Sequence, residues 1–206
     1  MENEDQTYRR EFLARTLKTG LAVAFGLTTM GAHGESQGGA VQPHSVTFKD
    51  DGTIPNSRYP VLLYHNVTDV KGSDPASRVQ QLFAANNWTN SWRNGIYTYH
   101  HYHSTSHEVL GVYRGSVTVR LGGEQGQNFT VQAGDVIVIP AGVGHKNLGA
   151  SADFGVVGAY PDGRDWDLLT GQPGERPKAD QNIAALPIPG NDPVFGGDGP
   201  IRKIWT

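Results

Sequence analysis

The sequence contains the stretch Gly95-Ile-Tyr-Thr-Tyr-His-His-Tyr-His-Ser-Thr-Ser-His-Glu108, which places three candidate metal ligands within eight residues. Successive side chains of a β-strand point to opposite faces, so His101 and His103 are predicted to project together from one face. Glu108 has the opposite parity, and the small polar segment 104–106 is predicted to bend the chain so that Glu108 faces the same way. These three side chains are therefore expected to converge.

A fourth candidate ligand follows in Gly134-Asp-Val-Ile-Val-Ile-Pro-Ala-Gly-Val-Gly-His145. The unbroken β-branched run from Val136 to Ile139 is typical of a strand that is buried on both faces. Pro140 and Gly142 end that strand and turn the chain toward His145. The sequence thus predicts that His145 completes a site begun by the first stretch.

Strands are also predicted around these two stretches. Val117 to Leu121 alternates apolar and polar residues after a turn at Gly115, and residues 154–160 form a last apolar strand before a turn. Residues 80–92 are predicted to contain a short helix that polar Asn residues end, and Trp88 and Trp92, four residues apart, are predicted to form one aromatic face. The segment 59–64 is predicted to be an edge strand because Pro60 cannot donate to a ladder.

The spacing of the candidate ligands resembles the two sequence motifs of the cupin superfamily. Five fixed positions match the first motif, G-x5-H-x-H-x4-E-x6-G, namely Gly95, His101, His103, Glu108 and Gly115. Four match the second, G-x5-P-x-G-x2-H-x3-N, namely Gly134, Pro140, Gly142 and His145. The final Asn of the second motif is replaced by Gly149, with Asn147 the nearest amide. That Asn is not one of the usual ligands in the family, so the predicted metal site does not depend on it.

This resemblance implies an all-β fold, a cupin double-stranded β-helix (an antiparallel jelly-roll barrel), with irregular N- and C-terminal arms. It implies one divalent transition metal ion, with Mn or Fe preferred and Zn, Ni or Co possible, bound by His101, His103, Glu108 and His145. The alternative is that these histidines lie on the surface, or fill a barrel that has lost its metal. A homodimer is the default assembly for such a barrel.

Three functions are compatible with the resemblance. The preferred one is a metal-dependent oxidoreductase, of dioxygenase or oxidase type, acting on a small oxygen-bearing molecule. The others are a non-redox isomerase or lyase for a sugar-like substrate, and a non-catalytic module that binds metal or carbohydrate. In an enzyme, Glu108 would anchor the ion, while Tyr97, Tyr99 or His107 would move protons. Tyr97 and Tyr99 share the parity of His101 and are expected to line the cavity, and His107 is expected at its rim.

Composition limits the other possibilities. The chain has 206 residues with a net charge of −3, which provides no basic surface for nucleic acid. The 27 glycines and 12 prolines favour strands and turns. Cysteine is absent, so imidazole and carboxylate must supply any metal ligands.

The first thirty-four residues resemble a twin-arginine export signal. Arg9 and Arg10 precede Phe12 and Leu13, a mildly apolar run covers residues 20–30, and small residues follow. The run is too short for a stable membrane anchor. Export through the twin-arginine machinery would place the protein in the periplasm or outside the cell. The alternative is an amphipathic helix packed on the barrel, in which case the protein is expected to be cytoplasmic.

The remaining chain is divided into an N-terminal arm with short edge strands (35–80), a barrel core (81–160) and a C-terminal arm (161–206). The last segment is rich in Pro and Gly but contains large apolar residues, so it is expected to wrap over the barrel or a neighbouring subunit. Its stretch from Asp192 to Pro200, the terminal Ile204-Trp205 and the upstream Asn87-Trp88 resemble the bacterial YjlB-like cupin group. That group has no settled activity that could be carried over.

Overall fold

A computed structural model describes residues 41–206, and the predicted export signal lies outside this range. Nine strands and three helices follow one another along the described chain. They are β1 (His44–Val46), β2 (Val61–Tyr64), α1 (Pro75–Ala85), β3 (Trp88–Asn94), β4 (Glu108–Arg114), β5 (Ser116–Leu121), β6 (Gln127–Gln132), β7 (Val136–Ile139), β8 (His145–Ala150), β9 (Gly155–Pro161), α2 (Lys178–Ala185) and α3 (Ile201–Ile204). Within residues 41–206, none of the helices combines the length and apolar character that crossing a bilayer requires.

The strands form two antiparallel sheets. Six strands occur in the order β1-β2-β7-β4-β9-β3, and three occur in the order β6-β5-β8. Apart from the consecutive pairs β1-β2 and β5-β6, neighbouring strands come from distant parts of the chain, as in a jelly roll. The predicted all-β jelly-roll fold is confirmed.

The six-stranded sheet is buried on both faces at its central strands, β2, β7, β4 and β9, whereas its edge strands β1 and β3 are largely exposed. Its inner face carries Leu110, Ile137 and Val156, which pack in the interior of the barrel. Its outer face carries residues such as Val109 and Val138, which lie beneath α1 and the C-terminal segment. This explains why every residue of β7 is both apolar and buried. By contrast, β5 alternates buried and partly exposed residues, because only one face of the smaller sheet meets the interior.

Helix α1 packs closely against the outer face. Asp74 caps its first turn by accepting a hydrogen bond from the backbone N–H of Ser77 at 3.0 Å. Val79 and Phe83 are buried on the side facing the sheet. They lie so near Gly111 in β4 that a Cβ atom there would be 2.6 Å from Val79 Cγ1 and 2.7 Å from Phe83 Cζ. The glycine therefore sets the distance between helix and sheet.

The helix predicted within residues 80–92 is confirmed as the second half of α1, and it ends at asparagine residues as predicted. Helix α1 ends at Ala85, and Asn87 follows with a φ of 63°, a left-handed conformation that stops the helix. Trp88 and Trp92 instead lie in β3, where the register shifts between Thr89 and Trp92. That irregularity reverses the usual parity, so Trp88 packs in the outer cluster and Trp92 against the inner one. The predicted single aromatic face is wrong.

The predicted edge position of β2 is also wrong. This strand pairs with β1 on one side and with β7 on the other. Pro60 lies just before the first residue of β2, so its missing N–H does not interrupt the ladder. The carbonyl of Pro60 instead accepts a hydrogen bond of 2.9 Å from the indole Nε1 of Trp205.

The segment after β9 covers the outer face of the larger sheet. Ile201 and Trp205 are almost fully buried, and the Trp205 ring stacks on Tyr59 at 5.2 Å. Asp192 fixes this segment, because its carboxylate accepts hydrogen bonds from the Tyr64 hydroxyl at 2.5 Å and from the backbone N–H of Ile201 at 3.2 Å. The irregular C-terminal chain is therefore held by a buried polar anchor as well as by apolar contacts.

The close approach of α1 to the sheet predicts a specific sensitivity at Gly111. Gly111→Ala should lower the free energy of unfolding by about 1–3 kcal/mol, because the added methyl group overlaps two buried side chains. The matched control is Gly149→Ala in β8, where a Cβ would meet nothing within 4 Å. The control should stay within about 0.5 kcal/mol of the parent in urea-induced unfolding. Equal stabilities for the two variants would contradict the packing described here.

Candidate metal centre

Three imidazoles meet inside the barrel. His101 and His103 lie in the connection between β3 and β4, and His145 is the first residue of β8. One ring nitrogen from each lies within 4.8 Å of the others. All three side chains are buried. Backbone hydrogen bonds in both directions, of 2.9 and 3.2 Å, join His101 to His145 and hold two of the three together.

The connection bends at residues 104–105 as predicted, but the strand predicted through His101 and His103 is not formed. Between β3 and β4, pairing is limited to single bridges of His101 with His145 and of Tyr102 with Leu169. Alternation nevertheless holds locally. His101 and His103 face the interior, whereas Tyr102 packs on the opposite side and donates its hydroxyl proton to Glu175 at 2.9 Å. The side chains of His101 and His103 therefore face the same way although the connection forms only isolated bridges.

Glu108 joins the cluster at the start of β4. Its Oε2 atom is 3.3 Å from His145 Nε2 and 3.5 Å from His103 Nε2. Its other oxygen, Oε1, accepts a hydrogen bond of 3.0 Å from the Tyr160 hydroxyl. Oε2 is buried, and within residues 41–206 it has no hydrogen-bond partner. Buried carboxylate oxygens are normally paired, so this atom is left with the bonding capacity that a cation would satisfy.

The orientation of each imidazole is set by a backbone carbonyl group. Nδ1 of His101 bonds the carbonyl of Tyr99 at 3.3 Å, and Nδ1 of His145 bonds that of Val143 at 3.2 Å. Nδ1 of His103 bonds the carbonyl of Asp167. A carbonyl oxygen can only accept, so each Nδ1 carries a proton, and in the neutral imidazole each Nε2 keeps a lone pair. This is the arrangement in which histidines bind metal ions.

Burial and the contacts within the cluster shift the pKa values of its side chains. Burial, together with the neighbouring His145 and His103, lowers the pKa of His101 to about 2. Burial opposes ionisation of Glu108, but His103 and His145 together hold its pKa well below the usual range. Burial likewise disfavours a charged His103, yet the Glu108 carboxylate raises the pKa of that imidazole. The site therefore holds a buried anion, and a cation at its centre would balance that charge.

Asp167, in the C-terminal segment, fixes the loop that carries His103. Its carboxylate accepts hydrogen bonds from the backbone N–H of Ser104 at 2.6 Å and of Thr105 at 3.2 Å, and from both hydroxyl groups. Although partial burial favours the neutral acid, these hydrogen bonds hold the pKa of Asp167 below its usual range. The role of Asp167 could not be predicted, because nothing in the local sequence links position 167 to a loop more than sixty residues earlier.

A cavity of about 170 Å³ opens beside the cluster. Its walls contain all four predicted ligands together with aromatic, apolar and a few polar residues: Trp92, Arg93, Asn94, Gly95, Ile96, Tyr97, Leu110, Tyr160 and Trp166. Because the four predicted ligands share this cavity, an ion held by them would remain accessible from the cavity side. The volume is below the ~300 Å³ of sites that take drug-sized compounds, so the cavity suits a small molecule.

The two tyrosines expected in the cavity differ in position. Tyr97 and Tyr99 stack on each other at 5.0 Å, and each meets the edge of the His101 ring. Both are nearly half exposed. Only Tyr97 belongs to the cavity wall described above. The expectation that Tyr99 also lines the cavity is therefore not met.

The expected rim position of His107 is not found. Its Nδ1 accepts a hydrogen bond of 2.9 Å from the backbone N–H of Ala141, and its Nε2 bonds the carbonyl of Pro187 at 3.3 Å. The ring packs against Trp205, and burial lowers the pKa of His107 to about 4. The reason is alternation, since Glu108 faces the interior and the residue before it must face the outer layer. His107 joins the barrel to the C-terminal segment.

Comparisons with known proteins place these features in a family. The Cupin domain family model matches residues 93–152. The uncharacterised protein YjlB of Bacillus subtilis (strain 168) is 43% identical over 160 residues, which are 77% of this chain and 94% of that protein. The match to YjlB thus reaches well beyond the two histidine motifs.

Similar solved structures share little sequence with this chain. A mutant of Bacillus subtilis oxalate decarboxylase OxdC is 18% identical, covering 63% of this chain and 30% of that one, with a TM-score of 0.33. A DUF861 family protein from Thermotoga maritima is 20% identical, covering 43% of this chain and 92% of that one, with a TM-score of 0.28. Procruciferin from Brassica napus is 19% identical, covering 39% of this chain and 21% of that one, with a TM-score of 0.33. At these values no conclusion about activity follows.

The extent of the YjlB match, together with the jelly-roll fold, assigns the family. The chain belongs to the same family as Bacillus subtilis YjlB and contains a cupin domain.

Proposed function

We propose that this protein is a metal-dependent oxidoreductase of dioxygenase or oxidase type that acts on a small oxygen-bearing molecule. One divalent transition metal ion would be held by His101, His103, His145 and Glu108. The observation that supports the metal site is the unpartnered, buried Oε2 of Glu108, which faces Nε2 atoms whose rings are oriented by backbone carbonyl groups. A site arranged only for packing would not leave an anionic oxygen in this state.

The donor set limits the choice of ion. Three imidazole nitrogens and one carboxylate oxygen suit Mn, Fe, Co, Ni or Zn, and the chain has no cysteine to contribute a thiolate. We favour Mn or Fe because these ions prefer octahedral sites with open positions, for which the cavity leaves room, whereas structural zinc sites are closed. A bound Mn or Fe ion would supply Lewis acidity and a redox couple at the end of the cavity.

The residues around the cluster have separable tasks in this proposal. Tyr160 orients Glu108, because its hydroxyl donates to Oε1 while accepting a hydrogen bond of 2.8 Å from Trp92 Nε1. Burial and the nearby carboxylate raise the pKa of Tyr160, so it keeps its proton at neutral pH. Tyr97 lies on the cavity wall beside His101 and is the residue we assign to proton movement. Tyr99 and His107, which lie outside that wall, have no such task.

An exported location and a homodimer remain predictions from the sequence. The first rests on the twin arginine at positions 9 and 10, which precede the described residues. The second rests on the usual behaviour of cupin barrels and is tested by measuring the mass of the protein in solution.

The metal site is tested with two neighbouring histidines. His101→Ala removes a proposed ligand, whereas His100→Ala removes a side chain that contacts Glu124 at 3.0 Å and lies outside the three-histidine cluster. Elemental analysis should find close to one metal ion per chain in the parent and in His100→Ala. His101→Ala should bind the same ion at least about 100-fold more weakly, because losing even an outer partner of a ligand costs 10–100-fold. Equal metal content in the two variants, or none in the parent, would refute the site.

The oxidoreductase assignment is tested by oxygen consumption. Protein loaded with Mn or Fe is incubated with a panel of small hydroxy acids, diols and phenols in an oxygen electrode. We expect uptake with at least one compound, retained in His100→Ala and lost in His101→Ala. Turnover that is equally fast without oxygen would contradict the redox assignment and favour an isomerase or lyase acting at the same ion.

A further inference from the structure

The walls of the cavity are mostly aromatic and apolar away from the cluster. Four rings contribute, those of Trp92, Tyr97, Tyr160 and Trp166, and two aliphatic side chains, Ile96 and Leu110, complete the apolar part. Such walls favour a ligand with an apolar, flat body.

Arg93 is the single lysine or arginine among the described residues that line the cavity, and its guanidinium group points away from the cavity. Arg93 donates from Nε to Gln80 Oε1 at 2.8 Å and from Nη2 to Ser77 Oγ at 2.7 Å, and its Nη1 is 3.5 Å from Asp74. All three partners belong to α1 or its cap, on the outer side of the sheet. Among the residues that the structure describes, the cavity therefore offers no uncommitted cationic side chain to a second negative charge on a ligand.

Three of the four rings are held in place. Trp92 lies flat on the backbone of β9, where a Cβ on Gly158 would come within 2.2 Å of the indole. Its Nε1 is bonded to the Tyr160 hydroxyl, and Tyr160 stacks on Trp166 with ring centres 5.7 Å apart. These contacts also use up the polar atoms of Trp92 and Tyr160. A sugar, which needs many directed hydrogen bonds, would find few partners here.

Two partly exposed rings flank the cluster at the mouth. Trp166 meets the edge of His103 with ring centres 5.1 Å apart, and Tyr97 meets His101 at the same separation. Their exposed fractions are 37% and 45%. A flat ligand entering the cavity would contact both rings while its leading atoms reach the cluster.

The charge of the metal-loaded cluster limits the charge of the ligand. Three neutral imidazoles and one carboxylate would leave a divalent ion with a net charge of +1. A ligand that binds as a monoanion balances this charge, whereas a dianion leaves an excess negative charge in a buried site that has no free cation.

We propose that the ligand of this cavity is a single hydroxylated aromatic ring with two adjacent oxygen atoms, bound as a monoanion. The adjacent oxygens would face the metal cluster, and the ring would lie between Tyr97 and Trp166. This inference rests on the proposed metal site and names its substrate class. Trp166 and Tyr97 are then the residues that select a ring over other small chelating molecules.

The test compares two chelating probes on the full-length, metal-loaded protein by isothermal titration calorimetry. Catechol has the proposed ring and oxygens, whereas oxalate chelates through two carboxylates and has no ring. We expect the parent to bind catechol more tightly than oxalate. Trp166→Leu should weaken catechol binding between about twofold and tenfold, the range that an aromatic contact provides, and leave oxalate affinity unchanged.

Leu148→Ala is the matched control, because Leu148 is 46% exposed on β8 and does not line the cavity. It should leave both affinities unchanged. Tyr97→Leu serves as a second variant with the same expected loss, in case Trp166→Leu fails to fold. Tighter binding of oxalate than of catechol, or equal catechol affinity in the parent and the ring variants, would overturn the inference while the metal site stands. A parent that holds no metal would refute the proposed function and with it this inference.

Discussion

The structure depends on one energetically unfavourable feature, the burial of the Glu108 carboxylate inside the barrel. Transfer of an unpaired carboxylate into a protein interior costs several kcal/mol even after relaxation. Glu108 is only 2% exposed, and one of its oxygens has no hydrogen-bond donor. His103 and His145 approach that oxygen, and Tyr160 bonds the other. The surrounding contacts can be understood as the means by which the fold keeps this anion buried and directed at a single point.

Two layers of structure perform that task. The inner layer consists of backbone carbonyl groups from Tyr99, Val143 and Asp167, which orient the three imidazoles. The outer layer is the C-terminal segment, which closes the far side of the larger sheet and sends Asp167 to the loop beside His103. The segment therefore contributes both stability and alignment of the site. Such second-layer contacts commonly tune metal affinity as much as they tune stability.

The sequence was informative wherever short-range periodicity determined the outcome. The buried run of β7 and the alternation of β5 followed directly from the order of apolar residues. The grouping of His101, His103 and His145 followed from motif spacing. Errors arose where a single backbone feature changed the parity. The register shift in β3 separated Trp88 from Trp92, and the isolated bridges around Tyr102 replaced a predicted strand. Contacts from the C-terminal segment, above all those of Asp167 and Trp166, could not be predicted, because no periodic pattern connects an irregular segment to a distant loop.

The most direct test of the central claim is an anomalous diffraction map from crystals of the metal-loaded protein, recorded at the absorption edge of the ion found by elemental analysis. The account predicts one strong peak bounded by Nε2 of His101, His103 and His145 and by Oε2 of Glu108. Each of these atoms should lie about 2.0–2.6 Å from the peak, as in established metal sites. A peak at another place in the molecule, or no peak among these four atoms in protein that carries the metal, would contradict it.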